Sequence, residues 1–107
     1  MSRVYISGRI GNLPKEVYSK KFIKAKNKLK NKFDIVITPL DAAVELESIV
    51  SQPNYNWYLL ADITHLVDCD CIYMLNDWRQ SPGAKAERAY AKACKMKIIY
   101  QPWYEKN

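Results

Sequence analysis

The chain has 107 residues, 49% of them hydrophobic and 26% charged, with a formal net charge of +6. That length supports one hydrophobic core and not two, so a single domain over 1–107 is expected, and no apolar run approaches the roughly 20 residues that would span a bilayer. Three cysteines, Cys69, Cys71 and Cys94, and one histidine, His65, form neither a disulfide framework nor a zinc ligand set, so buried free thiols in a reducing compartment, with no metal site, are expected.

In chain order, Arg3–Ser7 (R-V-Y-I-S) is a first strand, entered without a signal-type apolar region, which fits a cytoplasmic location. Residues 8–14 form a glycine-containing loop closed by a proline. Residues 15–32 carry eight lysines against one acid, Glu16, a local charge of +7 that leaves the rest of the chain near −1. Val17, Phe22, Ala25 and Leu29 recur there at roughly helical spacing, which predicts a helix to about Lys32 with the lysines on its solvated face. Lysine without interleaved arginine and aromatic residues is a poor nucleic-acid surface, so no nucleic-acid partner is expected.

The β-branched run 33–38, closed by Pro39, predicts a second strand, and Cys69 and Cys71 have the spacing of residues on one strand face. Residues 41–50 have helical composition and fit either a short helix or an ordered loop, and 51–56 form a connector. Leu59, Leu60, Ile63, Leu66 and Val67 recur at three- and four-residue spacings, predicting a helix over 57–67. A third strand over 70–75, a helix over 83–94 and a fourth strand, Lys97–Tyr100, complete the pattern before a polar, aromatic tail. Alternating strands and helices imply an α/β fold. The expected architecture is a three-layer α/β/α sandwich with a mainly parallel sheet of four to five strands, Rossmann- or flavodoxin-like, whose loops 8–14 and 76–83 converge on one crevice.

The segment S-P-G-A-K-A-E, residues 81–87, sets a hydroxyl, a glycine and a carboxylate at a strand-to-helix junction. Ser81 or Pro82 can open the helix, Gly83 allows a ligand close to the backbone, and Glu87 is expected about one turn inside, beside unpaired amides. The same residues also make an ordinary helix start. Asp62 interrupts the apolar stretch L-L-A-D-I-T-H-L; it is either an exposed helix-face residue or a partner for Tyr5, the Gly8 loop and Glu87. Trp78 lies in the same loop region as Ser81 and can either stack on a base or pack inside. Trp103 and Tyr104, in the tail, point to a contact between copies of the chain if they are exposed.

Three motifs, Y-I-S-G at the start, D-I-T-H-L-V-D-C-D before the third strand and I-Y-x-L-x-x-W-x-x-S-x-G-A-x-x-E over 72–87, resemble the nucleoside 2-deoxyribosyltransferase superfamily, and most closely its short bacterial and phage domains. The resemblance covers most of the chain. It implies Glu87 as a nucleophile at the anomeric carbon, Asp62 as the carboxylate handling the proton of the leaving base, and Tyr5 as the group orienting the nucleophile. It further implies that Ser7, Gly8, Arg9, Ile10, Ser81 and Gly83, with Trp78, contact a nucleoside or nucleotide, that no cofactor takes part, and that the chain is a homo-oligomer whose site a neighbouring subunit completes. Arg9 departs from the smaller residue usual at its position and suits a phosphate or carboxylate partner. The expected activity is N-glycosidic bond hydrolysis or deoxyribosyl transfer. The alternative is a module that binds or sequesters a nucleotide without turning it over.

Overall fold

A computed structural model describes residues 2–105. The elements are β1 (Arg3–Ser7), α1 (Lys15–Leu29), β2 (Ile35–Ile37), α2 (Pro39–Glu47), α3 (Tyr55–Val67), β3 (Cys71–Met74), a 3-10 turn (Trp78–Gln80), α4 (Pro82–Ala93) and β4 (Lys97–Tyr100). The strands form one all-parallel sheet in the order β2-β1-β3-β4. The expected α/β fold is therefore the one observed, with four strands. Chain order reverses direction between β1 and β3, and this makes their C-terminal ends the switch point at which open α/β sheets bind ligands. Among the described residues no helix is long and apolar enough to cross a membrane.

The apolar residues of the central strands divide between two faces, because alternate side chains point to opposite sides of a sheet. Val4 and Ile6 pack with Phe22, Ala25 and Leu29 of α1. Tyr5, Ile72 and Met74 pack on the other face with Leu66 of α3 and Ala84 and Ala91 of α4. Helices thus cover both faces. His65 ties α3 to α2, its Nε2 lying 2.9 Å from the Glu45 carboxylate.

Several local expectations are corrected. Helix α1 stops at Leu29, with Lys30 at its C-cap, and not at Lys32. Lys21 is not on the solvated face of α1: it is buried and ion-paired to Asp77, its Nζ 2.5 Å from the carboxylate. The open segment 41–50 is a helix that starts earlier, at Pro39, because Thr38 caps it. Thr38 Oγ1 accepts from the Leu40 and Asp41 amides, and Asp41 accepts from the Thr38 amide at 2.9 Å. This is a reciprocal capping box with proline at the first helical position, so Pro39 both ends a strand and begins a helix. Cys69 and Cys71 do not share a strand face. Cys69 precedes β3 and packs on the α3 and α4 side, whereas Cys71 packs on the α1 side. Both are buried free thiols, with burial pushing Cys69 up to about 11, but Cys94 is exposed.

Candidate active site

The site begins with the alternation of β1. Tyr5 and Ser7 are two residues apart and point to the face covered by α3 and α4, where both are fully buried. Ser7 is the last residue of the strand and pairs in register with Met74, the last of β3. Its hydroxyl therefore lies at the switch point.

Helix α4 reaches this hydroxyl with a carboxylate. Its buried positions are Ala84, Glu87 and Ala91, one stripe at i, i+3 and i+7 facing the sheet. A glutamate in the middle of such a stripe is only 3% exposed, and the Ser7 Oγ donates to its Oε1 at 2.6 Å. A buried carboxylate is costly unless it is partnered, so its retention on a core-facing stripe is itself a signal of a built site. The expectation that Glu87 would meet the free amides of its own helix is corrected. Ser81 caps the helix by accepting from the Ala84 amide at 3.1 Å, whereas Glu87 sits farther along and points to β1.

Asp62 arrives from α3 on an equivalent stripe with Leu59 and Leu66, the inward side of the helix. It is not an exposed helix-face residue. Burial pushes its carboxyl up to about 6, against hydrogen bonding from Glu87 and Tyr5 and the charge of His65. Glu87 is held well above its ordinary value, first by burial and then by the Asp62 charge, against the hydrogen bond from Ser7. The two carboxyls therefore act on one another, Asp62 raising Glu87 while the Glu87 hydrogen bond lowers Asp62, with burial the largest cause of the rise in each.

The Tyr5 hydroxyl completes the cluster. It is fully enclosed and meets no hydrogen-bond partner at full geometry among the described residues, although both carboxyls lie near enough to act on it. Burial, then the charges of Glu87 and Asp62, keep the phenol protonated. A phenol, a hydroxyl and two carboxyls raised by burial thus meet in one place, an arrangement suited to attack on an electrophilic carbon with proton transfer to a leaving group.

The remaining sequence candidates are spread around this centre. A Cβ on Gly8 would lie 2.8 Å from Leu75 Cδ1 and 3.2 Å from Asp77 Oδ1, so glycine is required there by loop packing. The Arg9 amide donates to Asp77 Oδ1 at 3.0 Å and its guanidinium to Gln80 Oε1 at 3.3 Å. Arg9 has no carboxylate partner among the described residues. Ile10 packs against the core on the α1 side. Trp78 is 9% exposed, with the Arg79 and Arg88 guanidiniums 4.6 and 4.7 Å from its ring centroid.

Three residues of this neighbourhood were not singled out from the sequence. Lys21 donates to both Asp77 and the Arg9 carbonyl, which fastens the loop after β1 to the loop after β3. The signal for Lys21 was its place beside Phe22 on the inward side of α1, masked by seven other lysines. Asp77 is the other half of that tie. Tyr55, the first residue of α3, holds its hydroxyl over Gly83: a Cβ there would lie 3.0 Å from it. Burial and the charges of Glu87 and Asp62 raise the Tyr55 phenol as well, although its ring is largely exposed. Nothing in one sequence distinguishes it from the other seven tyrosines.

No curated protein matches the chain. A family model described as a domain of unknown function (DUF4406) matches residues 2–100, a span that contains all four strands and every residue of the carboxyl cluster, and the chain belongs to that family.

Proposed function

We propose that the chain is an N-glycosidase or 2-deoxyribosyltransferase acting on a nucleoside or nucleotide, as its resemblance to the nucleoside 2-deoxyribosyltransferase superfamily implies. The observation that carries this reading is the meeting of Ser7, Glu87, Asp62 and Tyr5 at the switch point of the sheet, with the two carboxyls perturbed together. In the reaction, a Glu87 carboxylate oxygen bonds to the anomeric carbon as the carbon–nitrogen bond breaks. The electron pair leaves with the base, and Asp62 supplies the proton that neutralises it. Water or a second base then displaces Glu87 from the sugar, returning the proton to the pair. Ser7 holds the nucleophile in place by donating to it, with the enclosed Tyr5 hydroxyl beside the pair.

A second copy of the chain is part of the proposal. Trp57, Leu60 and Val67 of α3 are 45%, 57% and 54% exposed, an apolar stripe on the outward side of the helix that self-association would cover.

The enclosure of Glu87 at 3% exposure favours one competing reading, a nucleotide-binding module without turnover. The test is incubation with deoxynucleosides and their 5′-monophosphates, chromatography for free base, and a Glu87→Ala control. Base release that the control lacks is the expected result. Ligand-induced thermal stabilisation without release from any substrate would establish the binding module instead.

A further inference from the structure

One strand away from Ser7, a groove of about 340 Å³ opens across the C-terminal ends of β3 and β4. Its walls include Trp78, Arg79, Tyr100, Pro102 and Trp103. None of Ser7, Glu87, Asp62 and Tyr5 lines it, and of the residues implied to contact a nucleoside only Trp78 does. Its volume is within the range of small-molecule sites, roughly 300–1,000 Å³.

The groove combines flat rings with uncompensated positive charge. The Arg79 guanidinium lies over Trp78, and Arg88 lies over both Trp78 and Tyr100 while its Nε donates to the Tyr100 hydroxyl at 2.8 Å. Neither arginine pairs with a carboxylate among the described residues, and no acid lines the groove. Guanidinium groups stacked on rings keep their in-plane N–H donors available for an anion.

The opposite wall is held in position. Trp103 is 88% exposed, yet the tail that carries it is fastened: the Asn76 side chain donates to the Pro102 and Glu105 carbonyls, and the Asn76 amide donates to Gln101 Oε1 at 2.8 Å. Lys28 of α1 pairs with the Glu105 carboxylate on the far side. An indole presented to solvent by a fixed tail loses little conformational freedom on binding a ring, so the groove is preorganised.

We propose that this groove is a second ligand site that takes a small aromatic anion, a planar ring bearing a phosphate or carboxylate, with the ring against Trp103 and Pro102 and the anion on Arg79. It does not depend on turnover at Glu87. The test is calorimetric titration of the full chain with adenosine 5′-monophosphate, adenosine and inorganic phosphate, in both the wild-type and Glu87→Gln backgrounds.

The expected result is saturable binding of the monophosphate in both backgrounds, with adenosine and phosphate each about tenfold weaker or worse. Arg79→Ala and Trp103→Ala, both at exposed positions, are each expected to weaken the monophosphate about tenfold without lowering the melting temperature. No monophosphate binding by the wild type would overturn the proposal. So would binding that both groove variants leave intact, or binding that Glu87→Gln alone abolishes; that last result would put the ligand at the carboxyl pair.

Discussion

The Ser7 hydroxyl and the Glu87 carboxylate, 80 residues apart in sequence, share a 2.6 Å hydrogen bond in the interior. That bond favours the charged form of Glu87, while burial and the Asp62 carboxyl oppose it. Under the proposed reaction, Ser7→Ala removes the favouring contact, so the pH–rate profile of base release is expected to move toward higher pH; an unmoved profile would show that Ser7 does not tune the pair. The same groups link pH to folding. Both carboxyls have folded pKa values above their ordinary ones, so the folded chain binds protons more tightly than the unfolded chain. Their contribution is then fully present below about pH 4 and is lost as pH rises through about 6 and beyond, the ordinary value of Asp62 being 3.8 and its raised value about 6. Glu87→Gln is expected to flatten this decline, measured as denaturation midpoints between pH 4 and 8, whereas an unchanged slope would place its origin elsewhere.

Among the elements, α4 has the most constrained termini. Ser81 and Pro82 start it, and the Met96 amide closes it by donating to the Ala91 carbonyl at 2.8 Å while Lys95 donates to Lys92. This is a Schellman closure, and it places Lys95 at φ 58°, a left-handed conformation that an L side chain adopts at a cost. Lys95→Gly is expected to raise stability by up to about 1 kcal/mol in urea denaturation, because the backbone is already in the conformation glycine tolerates. Helix α2 illustrates a different balance. Composition left it open, but the T-P-L-D sequence at 38–41 carried a reciprocal cap that fixes its start. Period and punctuation located α3 and α4 to within one or two residues. The burial of Lys21 was not legible, because its partner Asp77 lies 56 residues away and only the fold brings them together.

On the scale of the whole molecule, the excess positive charge is centred on α1, which also exposes Val17 and Ile23, and a second exposed apolar surface lies on α2 and α3. Residues 15–32 hold eight lysines, whereas α3 exposes Trp57, Leu60 and Val67, with Val44 of α2 and Ile49 just beyond it also exposed. Association of two copies through α3 is expected to give a dimer or larger species in sedimentation, and Leu60→Asp to reduce it to monomer, since a charge at the centre of an apolar contact is desolvated without a partner. A monomeric wild type would remove self-association from the proposal. Trp103 and Tyr104, edge to face with centroids 5.8 Å apart, are a second exposed aromatic surface, and the groove beside them gives it a role that needs no second copy.

The sequence by itself determined the alternation of strands and helices, the parallel sheet that alternation entails, and the residue types of the carboxyl cluster. Those properties arise from local period, local caps and the need of short crossovers to pack back on a sheet. Only the tertiary structure decided which face each residue serves. Glu87 and Asp62 carry the signs of surface residues when taken singly, and they became an interacting pair because two helices turn their apolar stripes onto the same face of β1. Likewise Lys21 changed from solvated cation to buried tie, and Gly8 acquired a packing requirement, because burial and charge pairing depend on neighbours that are remote in sequence.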